Sequence, residues 1–433
     1  MTQFLRFAYS IAFYFLIPFV LLRLLWRSRR NPAYRQRIKE RFGFSKLAFE
    51  KSIWVHAVSV GESLIAVSVI KKLRLRYPAL PIVVTTMTPT GAARIQAALG
   101  DSVSHVYIPY DLPMAVRRFL KQIQPVIAII LETELWPNFY EICHQRRIPI
   151  VIANGRLSER SAAGYQRIAL LTRDMLSKVS LLMAQGKADA ERYIALGMNP
   201  TRVIVTGNIK FDLELPSDLI PRSEVLRMHL GKDRPIWIAA STHAGEEELA
   251  LKAHAQIRES QPQALLILVP RHPERFTPVA ELIAQQGFQF ARRSLGESCG
   301  PETAVFLGDT MGEMFLFYAA ANVTLVGGSF APIGGHNLLE PAALAKPVIS
   351  GPQLFNFTEI AELLTKADAL VKVEDAPSLA AAVLRFFMDA DLCRQKGENA
   401  RQVVEANRGA LAKHIDLISG LIGSVDTAQS VIL

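Results

Sequence analysis

The chain is 433 residues long, 50% hydrophobic, with a formal net charge of +10. That length exceeds one ordinary domain and fits two of about 180–200 residues. The basic surplus points to phosphate-bearing partners, either nucleic acid or an anionic membrane. Cys143, Cys299 and Cys393 form no C-x-x-C pair, so neither a zinc ribbon nor a disulfide framework is supported.

Residues 7–22 carry no charge, and Leu24 to Trp26 extend the apolar run past Arg23. Arg27, Arg29, Arg30, Arg35 and Arg37 follow. The run is slightly short of the roughly 20 residues of a full span, but Arg23 can snorkel. No small residues mark a signal-peptide cleavage site. The expectation is a membrane anchor over residues 1–30, spanning or interfacial, with the body in the cytoplasm by the positive-inside rule. The alternative is a long apolar helix docked on the soluble body. The segment precedes every predicted strand, so its removal is expected to leave a folded body.

Short runs rich in Val and Ile then alternate with amphipathic stretches. Strands are expected at 53–58, 82–87, 106–109, 126–131, 149–153, 181–184 and 203–206, with helices such as 62–77, 114–123 and 188–196 between them. Residues 211–235 read as a linker with a short helix. Strands resume at 236–240, 265–269, 305–307, 323–326, 347–349 and 370–373, and residues 391–422 read as helix. Fully apolar strands alternating with helices mean parallel sheets covered on both faces. The architecture expected is two doubly wound, Rossmann-like α/β domains facing a cleft, over residues 31–212 and 213–433. The last helix is read as able to return to the first domain.

Ligands of open α/β sheets bind beyond the carboxyl ends of strands. In the first half, Glu62 follows Gly61 directly after a strand, beside His56, Ser59 and Ser63. A carboxylate near a helix N-terminus normally stays ionised and can accept a proton; the plainer reading is a first-turn acid complementing the helix dipole. Glu132 and Glu134 close a run of apolar residues, and acids there are costly unless paired or functional. Asn154-Gly155-Arg156 ends the next strand; with Arg160 and Arg167 it makes either a basic lip or a solvated helix face. Lys210, in Gly207-Asn208-x-Lys210, lies at the domain junction.

In the second half, Pro270-Arg271-His272-Pro273 ends a strand where an Arg and free backbone amides can meet a phosphate. Met311-Gly312-Glu313 sits after another strand. A glycine-rich loop, with Gly327, Gly328, Gly334, Gly335 and His336, lets backbone approach a ligand. Asn337 then caps a helix carrying Leu338, Leu339 and Glu340, whose carboxylate can accept from ribose hydroxyls. Three such strand ends point to a nucleotide site. No Asp-x-Asp and no His/Cys cluster at ligand spacing occurs, so no metal is expected.

The segments His-Ala-Val-Ser-Val-Gly-Glu (56–62), Glu-Thr-Glu-Leu-Trp-Pro-Asn (132–138), Gly-Asn-Ile-Lys-Phe-Asp (207–212), Ala-Ser-Thr-His-Ala-Gly-Glu-Glu (240–247), Pro-Arg-His-Pro-Glu-Arg (270–275) and Gly-Gly-His-Asn-Leu-Leu-Glu-Pro (334–341) together closely resemble the 3-deoxy-D-manno-octulosonic acid (Kdo) transferases. The resemblance runs from the apolar N-terminus to about residue 415. It implies a GT-B glycosyltransferase of lipopolysaccharide synthesis at the inner membrane, moving Kdo from CMP-Kdo to a lipid A precursor. By that analogy the first domain binds the acceptor and the second the CMP-sugar. Glu62 is then the general base and Glu132 assists it. Pro270, Arg271, Met311 to Glu313 and Asn337 to Glu340 line the CMP site. Gly155 departs from the Ala that the family pattern leads one to expect. The resemblance implies no cofactor and no nucleic-acid partner. The rival readings are a GT-B enzyme using a UDP-sugar on a lipid acceptor, and a non-catalytic, membrane-tethered nucleotide or lipid binder.

Overall fold

The computed structural model describes residues 2–29 and 31–430. Apolar runs too short for helices, and buried on both faces, are stable only inside a sheet with helices on each side. The first seven are β1 Ser52–His56, β2 Ile82–Thr86, β3 Ser104–Tyr107, β4 Pro125–Leu131, β5 Ile150–Gly155, β6 Leu181–Ala184 and β7 Val203–Val205. They form a parallel sheet in the order β3-β2-β1-β4-β5-β6-β7. A second parallel sheet holds β8 Ile236–Thr242, β9 Leu265–Pro270, β10 Phe290–Arg292, β11 Val305–Leu307, β12 Val323–Val326, β13 Val348–Ser350 and β14 Leu370–Lys372. Its order is β10-β11-β9-β8-β12-β13-β14. The expected α/β class with two doubly wound sheets is therefore present. β10 was not anticipated: Phe-Ala-Arg is an edge strand with no apolar run to announce it.

Two compact units contain these sheets: Met1–Asp212 with Arg408–Leu433, and Leu213–Asn407. In the first, Trp54, Phe119 and Phe139 pack on one face of the sheet, with both neighbours' ring centroids 5.4 Å from Trp54. On the other face Val55, Ile70 and Leu73 pack in the same layer as Ile415, Ile418 and Ile422. The C-terminal helical stretch is not continuous. It divides into Ala390–Ala406 and Ala410–Ser430 around Gly409, whose φ of +96° is left-handed. The Asp212 carboxylate accepts from the Gly409 and Leu411 amides, both at 2.7 Å, and so caps the second helix.

The N-terminal segment forms helix α1, Thr2–Ser28, long and apolar enough to cross a membrane. It has two faces. Phe4, Phe7, Phe15, Phe19, Leu22 and Trp26 are 61–76% exposed. Phe13, Ile17 and Val20 instead pack on Tyr110, Leu112 and Ala115. Polar groups fasten the same docked side: Arg6 pairs with Glu141 at 2.6 Å, and Ser10 hydrogen-bonds Asn138. Tyr9 bonds Asp111, whose buried carboxylate also accepts from the amides of Asn138 and Phe139. The helix thus combines the two readings of the sequence, docked on the body along one side and apolar and exposed along the other.

Candidate active site

In each sheet, strand order reverses at one place, between β1 and β4 in the first and between β8 and β12 in the second. Connections leave such a point in opposite directions, opening a crevice at the carboxyl ends. Glu62 and Glu132 follow β1 and β4 at the first position; in the second sheet the loop to Glu340 follows β12, Pro270 and Arg271 follow the neighbouring β9, and Met311–Glu313 follow β11, two strands from the reversal.

Beyond β1, Ser59 opens helix α2, Val60–Arg76, as a capping box: its hydroxyl accepts from the Glu62 amide at 3.2 Å. The Glu62 carboxylate returns to the amides of Val58 at 2.7 Å and Ser59 at 3.2 Å. The helix terminus alone would hold this acid low. Burial wins instead and pushes the carboxyl above its ordinary value, against the pull of those hydrogen bonds, with the charge of Glu132 pushing further.

Across the crevice, beyond β4, Glu132 adopts a left-handed backbone with φ of +55°. Such a conformation in a non-glycine residue costs on the order of 1–3 kcal/mol and gathers at functional sites. Its side chain pairs with Lys210 at 3.6 Å, which brings the Gly207–Lys210 segment to the same rim. Glu134 accepts from the Trp136 indole at 2.9 Å. Its carboxyl is pushed up to about 7, first by burial and then by the charge of Glu62. Glu62, Glu132 and Glu134 therefore form one interacting group of acids. The sequence pointed to Glu62 and Glu132 as the catalytic pair; Glu134 joins them in the structure.

Asn154 is fully buried and holds the fold. Its amide donates to His414 at 2.9 Å, and its side-chain oxygen accepts from the Ile209 amide at 2.9 Å. Asn154 thus fixes the segment that carries Lys210, while Arg160 and Arg167 are exposed and Arg156 is half-buried.

In the second unit, Pro270 ends β9 and the Arg271 amide donates to Thr242 at 2.9 Å. No carboxylate partner of the Arg271 guanidinium is found among the described residues. Met311 is exposed, and Gly312 turns with φ of +83°. The Glu313 side chain is taken: Arg293 grips it at 2.8 and 3.0 Å and the Thr310 hydroxyl bonds it at 2.6 Å. Those contacts, Arg293 first, hold its carboxyl below the ordinary range. At this turn, backbone and Met311 are what a ligand can meet. Asn337 accepts from the Leu339 amide and donates to Glu340, both at 3.2 Å. Leu338 and Leu339 are buried at the start of the short helix Leu339–Ala343, so they can offer only backbone.

Sequence reading missed Glu246. Only 2% exposed, it accepts from the amides of His243, Gly328, Ser329 and Phe330 at 3.0, 2.7, 2.9 and 3.0 Å. The amides of 328–330 are thus occupied within the protein; Gly334 and Gly335 are buried against Phe355 and Leu354, and the Gly335 amide donates to Gly328 at 2.7 Å, so these glycines brace the loop. The available signal was the acidic run Glu246-Glu247-Glu248 opening a helix. Glu247, fully buried, pairs with Arg275 at 3.0 Å. Among the described residues no group of three His, Cys, Asp or Glu is placed to hold a metal ion.

Comparison with known proteins identifies the family. The family model for 3-deoxy-D-manno-octulosonic-acid transferase (kdotransferase) matches residues 36–213. A 3-deoxy-D-manno-octulosonic acid transferase of Haemophilus influenzae is 43% identical over 417 residues, covering 95% of this chain and 98% of its own. Its counterpart in Bordetella pertussis is 33% identical over 436 residues, covering 96% and 100%. Among solved structures, MurG of Acinetobacter baumannii superposes with a TM-score of 0.56 at 11% identity, covering 86% of this chain and 100% of that one. That likeness concerns the fold alone, two α/β sheets of GT-B type. Near-complete coverage at such identity, joined to the family match over the first sheet, places this chain in the 3-deoxy-D-manno-octulosonic acid transferases, a family of glycosyltransferases.

Proposed function

We propose that the protein transfers Kdo from CMP-Kdo to a hydroxyl of a tetra-acylated lipid A precursor, in lipopolysaccharide synthesis. Glu62 is the general base. It takes the acceptor hydroxyl's proton as that oxygen attacks the anomeric carbon, and the bond to the CMP phosphate breaks with its electron pair leaving on CMP. A base opposite the leaving group makes this a single, inverting displacement. The observation that carries the reading is the position of Glu62, at the reversal of strand order, where burial and, after it, the charge of Glu132 raise its proton affinity. Glu132 and its partner Lys210 shape the same rim.

The nucleotide is assigned to the second unit, on Pro270, Arg271, Met311–Glu313 and Asn337–Glu340. Gly327, Gly328, Gly334, Gly335 and His336 form the supporting loop. Arg271 and nearby amides stabilise the departing phosphate, a task that a metal performs in many diphosphate-sugar enzymes. The exposed face of α1 and the arginines after it suit an anionic bilayer, which supports a body held at the cytoplasmic face of the inner membrane beside an acylated acceptor.

Mass spectrometry of the tetra-acylated precursor after incubation with enzyme and CMP-Kdo tests the reading and counts the Kdo units added. Turnover with a UDP-sugar and none with CMP-Kdo would overturn it.

A further inference from the structure

Three histidines converge beside Arg271. His243 follows β8, His272 follows β9, and His336 lies in the loop after β12, so they meet where strand order reverses in the second sheet. The Nε2 atoms of His243 and His336 are 2.8 Å apart. Their ring planes differ by 14° and their centroids are 5.1 Å apart. That separation is the N···N distance plus a ring radius on each side. The rings therefore meet edge to edge, nearly coplanar, joined by one N–H···N hydrogen bond. In such a pair one Nε2 carries the proton and the other accepts it.

The surrounding chain is built to hold this pair. Gly328 has φ of +68°, and a Cβ there would lie 2.8 Å from the His336 ring, so only glycine leaves room for it. Glu246 fixes both sides, accepting from the His243 amide and from Gly328. His272 stands perpendicular to His243, with centroids 5.3 Å apart.

The electrostatics explain why the pair is neutral without ligand. Burial, then Arg271, then the other two histidines push His336 down to about 3. Burial also lowers His243, against the charge of Glu246, with His272, Arg271 and Arg275 adding to the lowering. The carboxylates nearby are already engaged: Glu246 by four amides and Glu247 by Arg275. The charges around the pair, Arg271 and Arg275 against Glu246 and Glu247, balance in number, and Arg271 is the cation left without a carboxylate partner among the described residues.

We propose that His243 and His336, with Arg271, form the anion subsite of the donor site, and that the pair takes up a proton from solvent when the anionic group of the donor arrives. An anion beside two imidazoles favours their charged form, and a second proton lets each ring keep a donor where the neutral pair has one between them. The donor carries two anionic groups, a phosphate and the carboxylate of the sugar acid; either supplies the chemistry. The inference rests on the CMP-Kdo reading above.

Calorimetry of the full-length protein with CMP and with CMP-Kdo, each in buffers of different ionisation enthalpy, tests it. Net proton uptake near pH 7 is expected from wild type. It should fall to the ligand's own contribution in His243→Gln and in His336→Gln, which share that contribution. Binding should also be about tenfold tighter at pH 6 than at pH 8 if the bound pair titrates near 7, and the variants should lose this excess. Uptake with CMP assigns the subsite to phosphate; uptake with CMP-Kdo alone assigns it to the carboxylate. Both ligands binding wild type without proton uptake would overturn the inference and leave the donor reading standing, and this needs no variant to fold. No binding of either ligand would overturn the donor reading and the inference with it.

Discussion

Glu134→Gln should stabilise the first unit at alkaline pH and leave it nearly unchanged in acid. The native Glu134 carboxyl is pushed from 4.5 to about 7 by burial and by Glu62. A raised carboxyl means that the folded state holds more protons than the unfolded one between those values, so stability falls as pH rises through this window. At about 1.4 kcal/mol per unit, the penalty in the ionised state reaches roughly 3 kcal/mol; partial exposure and sharing among three acids bring it nearer 2. Glutamine keeps an oxygen for the Trp136 indole, which donates at 2.9 Å, and carries no charge to bury. Urea unfolding followed by tryptophan fluorescence at pH 5 and pH 8 measures the difference. The variant should match wild type within about 0.5 kcal/mol at the lower pH and exceed it by about 2 kcal/mol at the higher. An equal difference in stability at both pH values would refute the reasoning.

Glu62→Gln should lower kcat by about 10²–10⁴-fold while CMP affinity is kept; glutamine still serves a capping box, so a near-normal kcat in a folded variant would remove the base role. Arg271→Ala and Glu340→Ala should each weaken CMP binding by about 1–3 kcal/mol in calorimetry; unchanged affinity in both would move the nucleotide elsewhere. Deleting residues 2–28 should lower the Tm of the first unit and the solubility of the protein, because Phe13, Ile17 and Val20 leave Tyr110 and Leu112 uncovered and Asp111 loses Tyr9. An unchanged Tm would mean that the docked side of α1 contributes nothing.

What could be read from the sequence was what depends on local pattern. Val- and Ile-rich runs such as 126–131 and 265–269 announce buried parallel strands, because no other element fits so short an apolar stretch. The alternation with helices gave the fold class. Pairings between distant segments were not readable. β10 is three residues with one arginine at its end, and only its neighbour β11 makes it a strand. The break at Gly409 depends on Asp212 arriving from far along the chain. Glu246 reads as one more acid at a helix start until the loop at 328–330 is brought against it. Glu62 shows the same limit in its charge. Position on a helix predicts a lowered carboxyl, and burial reverses the sign. Helix α1 reads as apolar throughout, yet Arg6 and Ser10 are partners for Glu141 and Asn138.

The two reversals of strand order carry opposite chemistry, and this division follows from what each must stabilise. At the first, burial raises the proton affinity of Glu62 and Glu134 and the charge of neighbouring acids adds to it, as the proposed base role requires. At the second, Arg271 lies among His243, His272 and His336, as the proposed phosphate subsite requires. Exchanging these sets would defeat both: a base among cations loses its proton affinity, and a leaving phosphate among carboxylates is repelled. The internal carboxylate Glu246 is tolerated at the second site because four amides surround it. Its charge is thereby screened toward the ligand while it fixes the backbone that positions His243 and, through Gly328, His336. A site that must attract an anion can thus be braced by a buried anion, provided that the brace is fully hydrogen-bonded.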